Sequence, residues 1–311
     1  IAYQTAYLKT YYPHEFFAAS MTMELSNQNK LSEFYEELKR LNINIIRPNI
    51  NTCYANFTSD GKDFLYALGA IKNVGYEAIS NVVNERTKNG KYKNISDFIN
   101  RTNPKNINKL QLEGLVRAGA FDKINSNRQS LFNSIPNIIL KSKSNYENKI
   151  DNQINLFDDE FKSNDDFLDQ IEDWNLDDKL SKEFETLGFF ISDHPLNQYK
   201  IIFNQYNIVS YDQFEKDKNS LSSNVACTVL KVQEKKTQKG NSYAIVKFSD
   251  LSSVFEIFIF SDIFELSRDK LTEGNSLMIT LMKNYIDDTK IQKKINVKKI
   301  VALKEVLNSN F

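Results

Sequence analysis

The hydrophobic period of this chain switches once, from helical to extended, and that switch limits the folds open to it. In residues 1–42 and 64–135 apolar side chains recur at three- and four-residue spacing, with extended segments and turns expected at 43–58 between them. Leu31, Phe34, Tyr35, Leu38 and Leu41 form one stripe, Ala78, Ile79, Val82 and Val83 a second, and Leu110, Leu112, Leu115 and Val116 a third. A stripe of this kind buries one side of an α-helix. From 223 to 303 the pattern alternates, with strands expected at 225–234, 242–248, 254–260, 276–284 and 291–302 and a helix at about 261–271. Alternation sends successive side chains to opposite faces, so Phe255, Ile257 and Ile259 are assigned to a core and Glu256, Phe258 and Phe260 to the other face. Five strands with a helix between the third and fourth predict a five-stranded OB-fold β-barrel. Helices followed by strands give a multidomain α+β chain, and 311 residues suffice for more than one core.

Punctuating residues set the boundaries. Pro13 suits a first helical position, and Ser26, Ser96 and Ser126 are placed to cap helices. Gly90 and Gly119 sit where helices should stop, Arg47-Pro48 ends helical order, and the helix after Ser126 should finish before Pro136. Residues 141–185 have little periodicity, many Asn and Asp residues and few apolar anchors, which predicts a mobile linker over much of that stretch. The expected division is a helical segment at 1–61, a module of short helices at 62–138, an acidic linker with a helical connector at 139–220, and the barrel at 221–311.

Forty basic and forty acidic residues cancel, but unevenly. Residues 62–128 carry 12 basic and 6 acidic side chains, a net of +6; residues 151–185 carry 3 and 13, a net of −10; residues 221–311 carry 14 and 10, a net of +4. Local fields decide what binds where, so two basic modules flank an acidic connector. No G-x-G-x-x-G or P-loop pattern is present, and Asn is about one residue in eight. Cys53 and Cys227 lie far apart, and His14 and His194 are the only histidines, so neither a disulfide framework nor a His/Cys metal site is expected. The run Asp158, Asp159, Glu160, Asp165 and Asp166 reads as a solvated charge block. No apolar run approaches the ~18–20 residues of a membrane span. A cytoplasmic chain without cofactor, metal ligands or catalytic residues of its own is expected, and the start at Ile1 reads as a fragment of something longer.

Three signals carry function. Ile71-Lys72-Asn73-Val74-Gly75, followed by a helix, resembles the hairpin of a helix-hairpin-helix motif, in which a tight turn aims backbone N–H groups at a DNA phosphate. Asn73 replaces the first glycine, and Asn tolerates positive φ. A second copy is expected at Arg117-Ala118-Gly119-Ala120-Phe121, followed by Asn127 and Arg128. Lys72, Asn73, Val74, Gly75, Arg117, Gly119, Asn127 and Arg128 are therefore the candidate duplex-binding residues. Next, Gln153-Ile154-Asn155-Leu156-Phe157 in the acidic connector resembles the peptide that binds the bacterial sliding clamp, with Gln153, Leu156 and Phe157 as anchors. Last, Lys235, Lys236 and Lys239 in the first hairpin of the barrel, with Tyr243 and Phe258, are candidates for holding single-stranded DNA by base stacking beside a basic groove.

The order of these features resembles the bacterial DNA polymerase III alpha-subunit family. Ala2 to Lys9 with Tyr12, Pro13, Glu15 and Phe16 is similar to its fingers, Leu65 to Gly75 to a first hairpin and Asn106 to Asp122 to a second. Leu187 to Leu196 is similar to the lead into its OB domain, and Thr237 to Asp262 to that domain's first strands. The departures are Asn73 and Asp193, each where the family commonly has glycine. The resemblance implies a C-terminal portion of a replicative polymerase that engages primer–template duplex, single-stranded template, the sliding clamp and other holoenzyme subunits. It places the catalytic aspartates and their Mg²⁺ in a palm domain upstream. The alternative is a non-catalytic helix-hairpin-helix and OB protein of DNA repair or recombination.

Overall fold

The computed structural model describes residues 2–150, 165, 167–237, 240–285 and 293–308, the side chains of 148–150 and 293 excepted. Where the sequence suggests four segments, backbone contacts gather two units, Ile1–Ser192 and Asp193–Phe311. The reason is a single core in the first unit that runs from Phe17 through Tyr66, Leu115 and Leu131 to Phe189, so neither 61/62 nor 138/139 separates independent cores.

The first unit opens with α1 (Ala2–Tyr11), α2 (Pro13–Met23) and α3 (Gln28–Arg40), the last burying Leu31, Tyr35 and Leu38 of its stripe. A small sheet follows, β1 (Asn44–Ile46), β2 (Thr58–Ser59) and β3 (Asp63–Leu65), in the order β1-β3-β2. Then come α4 (Tyr76–Asn89), α5 (Ile95–Arg101), α6 (Lys109–Arg117), α7 (Arg128–Asn133), α8 (Ile135–Ile150) and α9 (Leu176–Leu187). Asparagine caps these helices: Asn27, Asn94, Asn108, Asn127 and Asn175 each accept a bond from the backbone N–H three residues on. The expected caps Ser26, Ser96 and Ser126 each lie within two residues of the true one, because Asn and Ser cap equally well and local sequence does not choose between them. The helix after Ser126 ends at Asn133, before Pro136 as expected, and Pro136 then lies in the first turn of α8, where its missing N–H costs nothing.

The described residues of the expected linker at 141–185 are built structure. Helix α8 continues to Ile150, α9 begins at Leu176, and the segment before α9 is fastened to the unit. The Asp165 carboxylate accepts from the N–H groups of Ile95 (3.3 Å) and Ser96 (2.9 Å), and Phe167 and Leu168 pack against the core. The Asp169 N–H donates to Ser134 Oγ at 2.9 Å, and Asp173 Oδ1 accepts from the Gln129 N–H at 3.1 Å. Composition predicted disorder because few side chains there are apolar. These carboxylates are instead held by helix first-turn amides, which have no partner within their own helix. Residues 151–164, with Gln153, Leu156, Phe157 and the Asp158–Glu160 run, lie outside the described residues.

The second unit contains β4 (Ile208–Val209), α10 (Tyr211–Lys216), β5 (Ser222–Lys236), β6 (Ser242–Ser249), β7 (Val254–Ile259), α11 (Ser261–Ser267), β8 (Ser276–Tyr285), β9 (Lys293–Ala302) and α12 (Leu303–Asn308). The hydrogen-bonded order is β7-β6-β5-β8-β9 with antiparallel neighbours, and β4 lies parallel to the start of β5. The five long strands, and α11 between the third and fourth of them, follow the expected OB pattern. Val225, Cys227, Val229, Val246, Phe248, Ile257, Ile259, Ile279 and Leu281 form the core. Cys53 and Cys227 are both buried free thiols, and burial pushes both thiols up, which keeps them unreactive.

Candidate nucleic-acid interface

The first hairpin is a rigid turn with an open outer side. Ile71 and Val74 are buried, while Lys72, Asn73 and Gly75 are exposed. Asn73 adopts φ 68° and Gly75 φ 78°, so asparagine supplies the left-handed conformation expected of glycine there. Gly75 is the N-cap of α4 and brings no side-chain cap bond, and a Cβ placed on it would meet nothing within 4 Å. The first turn of α4 therefore starts behind a bare backbone, the geometry that lets an anion approach main-chain N–H groups.

Residues that sequence reasoning missed hold this turn from behind. The Lys72 N–H donates to Thr186 O (3.1 Å), Gln111 Nε2 to Val74 O (2.9 Å) and Gln28 Nε2 to Ala70 O (2.9 Å). A Cβ on Gly114 would lie 2.8 Å from Lys72 O and 3.0 Å from Val74 Cγ2, so only glycine lets α6 pass this close to the hairpin. The one available signal was Gly114 itself, since a glycine inside a helix costs about 1 kcal/mol relative to alanine and generally has a packing reason.

The second hairpin is turned inward, which corrects the expectation for Arg128 and Gly119. Arg128 is buried and forms a two-point pair with Asp122, Nε to Oδ1 at 2.8 Å and Nη2 to Oδ2 at 2.7 Å, while its Nη1 donates to Arg117 O at 3.2 Å. Gly119 has φ 74°, and a Cβ there would lie 2.2 Å from Arg128 Nη2. This glycine makes room for the chain's own guanidinium. Asn127 is occupied at both ends, accepting from the Ser130 N–H (2.9 Å) and donating to Ile171 O (2.6 Å). Arg117 lies over the Phe132 ring and 3.5 Å from Glu185. Beneath the pair, Glu183 is fully buried, accepts from the N–H groups of Ile191 (2.7 Å) and Ser192 (2.8 Å), and stands 3.9 Å from Arg128 Nη1. Burial pushes its carboxyl pKa up, against the opposing pull of those amides and of Arg128.

In the second unit strand register assembles a mixed basic and aromatic face. Lys235 lies directly opposite Tyr243, Gln233 opposite Ile245 and Lys231 opposite Lys247; on the next strand Ile245 faces Phe258 and Lys247 faces Glu256. Phe258 is 54% exposed, as expected for the face away from the core. A bulge between Val229 and Lys231 shifts the alternation of β5 and turns Lys231, Gln233 and Lys235 to this face, leaving Lys236 on the opposite one. Lys231 and Lys247 escaped sequence reasoning because a bulge has no compositional mark. Lys239 lies outside the described residues. Beside this face a groove of about 480 Å³ runs between β7, β9 and α10, lined by Tyr211, Phe258, Phe260 and Lys294, with the Lys294 ammonium 4.9 Å from the Phe260 ring centre.

Comparison with known proteins agrees with this geometry. A family model described as the helix-hairpin-helix motif matches residues 42–131, the stretch that holds both hairpins. The DNA polymerase III subunit alpha of Caulobacter vibrioides is 33% identical over 90% of this chain, that of Borreliella burgdorferi 32% over 98%, and that of Rickettsia prowazekii 31% over 99%. The chain belongs to the DNA polymerase III alpha-subunit family. It spans 25%, 27% and 29% of those three relatives' lengths, about a quarter of an alpha subunit. Among the described residues no helix is long and apolar enough to cross a membrane.

Proposed function

We propose that this chain is the DNA-engaging and clamp-docking part of a replicative polymerase, with the first hairpin as its grip on primer–template duplex. The observation that carries the reading is the exposed turn Lys72–Gly75, with its left-handed Asn73 and Gly75, at the start of α4. Phosphate contacts dominate duplex affinity and carry no sequence information, which suits a polymerase that must hold any sequence. The Lys231, Lys235, Lys247, Tyr243 and Phe258 face would take single-stranded template, stacking bases on the rings while the ammonium groups track the backbone. Gln153, Leu156 and Phe157 would dock on the sliding clamp and raise the effective concentration of the polymerase at the primer end. Contacts with other holoenzyme subunits and a place in the cytoplasm follow from the same reading. Nucleotidyl transfer and its Mg²⁺ are assigned to parts of the alpha subunit outside this chain, which would be inactive alone. The non-catalytic repair or recombination alternative is less well supported, because the relatives named above are polymerase subunits across nearly all of this chain.

The reading is tested by anisotropy titration of a 20-base-pair duplex against salt. Lys72→Ala should weaken binding several-fold and flatten the slope of log K against log salt by about one unit. An unchanged slope would remove the first hairpin as the phosphate contact.

A further inference from the structure

We propose that the helix-hairpin-helix module offers one hairpin to DNA, not two, and that the acidic strap 165–173 fixes which one. The inference rests on the reading above, that duplex binds the first unit.

The two turns are alike in sequence and opposite in environment. At the first, Gly75 faces open space and the lysine beside it is exposed. At the second, the space over Gly119 is filled by the Arg128–Asp122 pair, and the amides that follow are engaged by carboxylate or amide oxygens. The Gln129 N–H donates to Asp173 and the Ser130 N–H to Asn127, while the Ser130 hydroxyl donates to Asp169 O. Asp173 is held in turn by the Lys179 ammonium, and its carboxyl is drawn below the usual carboxylate range, against the effect of burial, by Lys179 and the Gln129 amide. The strap therefore holds a carboxylate on the α7 first-turn amide that a second phosphate would use. Its sequence carries five acidic residues, Asp165, Asp166, Asp169, Glu172 and Asp173, and no basic one. Like charges at this range repel a phosphate backbone and steer duplex toward Lys72.

The basic side chain left exposed by the second turn is Lys123, which makes it the probe. The whole 311-residue chain is titrated with a 20-base-pair duplex as wild type, Lys72→Ala and Lys123→Ala, and amide hydrogen exchange is followed with and without duplex. Lys72→Ala should lower affinity several-fold, whereas Lys123→Ala should change it less than twofold and leave the salt slope unaltered. Residues 127–133 and 167–173 should keep the same exchange protection when duplex is added. If Lys123→Ala weakens binding as much as Lys72→Ala, or if duplex alters protection in the strap, one-hairpin binding is wrong while the proposed function stands. Absence of any duplex binding by the wild type overturns both.

Discussion

Glu183 has no exposed surface, yet it carries a carboxyl group into the core beside Arg128. Burial raises its pKa, so the folded chain favours the protonated form more than the unfolded chain does. The stability it contributes is fully present below the unfolded carboxylic value of about 4.3 and is lost as pH rises through the raised folded value. Glu183→Gln keeps an oxygen for the Ile191 and Ser192 amides and cannot ionise. The melting temperature of this variant should therefore gain on the wild type as pH goes from 5 to 8, and a difference that stays constant across that range would show that Glu183 is not strained by its charge. At the same scale, the abundant asparagines have a structural use. Five of them cap helices, a role worth about 1 kcal/mol each relative to alanine.

At the scale of elements, the hairpin Ile71–Gly75 was legible because a tight turn needs residues that accept positive φ, and Asn73 and Gly75 are such residues. The elements that brace it were not, since α6, α9 and the start of α3 reach it only through tertiary contact. Gly114→Ala should displace the turn: its methyl would press on Lys72 O and Val74, costing about 1–3 kcal/mol as overpacking does. Thermal unfolding and duplex titration together check this, and a variant with normal stability and normal affinity would show that α6 has room to spare. What the second hairpin's arginine faces was not legible for a related reason. Gly119, Asn127 and Arg128 match a phosphate-binding pattern one by one, but a pattern does not tell whether an arginine faces solvent or an internal aspartate. Asp122 lies only six residues from Arg128, and the turn between them folds the pair together. The attachment of Asp165 and of residues 167–175 to the first unit was not legible, because carboxylates bound to helix amides leave no hydrophobic signature.

At the scale of the whole molecule, the two units differ in how much of each was readable. The five long strands of the second unit and the helix between the third and fourth were expected with ends within four residues of those observed, since alternation marks the strands and, outside bulges, their buried face. On that basis Phe258→Ala should leave the melting temperature within about a degree, because an exposed side chain contributes little to stability. It should weaken binding of a dT oligonucleotide about ten-fold, as loss of one stacked base would. A large fall in melting temperature would place the ring in the core, and unchanged affinity would take it off the single-strand path. The sequence by itself determined the helical and extended halves, the first hairpin and the family, because periodicity, turn chemistry and collinear motifs are local properties of the chain. Only the tertiary structure decided that one core joins residues 17 to 189, that a bulge turns Lys231 and Lys235 to the same face as Phe258, and that Arg128 of the second hairpin turns inward onto Asp122. Those outcomes depend on which charges and backbone groups meet in the folded chain, and no local pattern encodes such meetings.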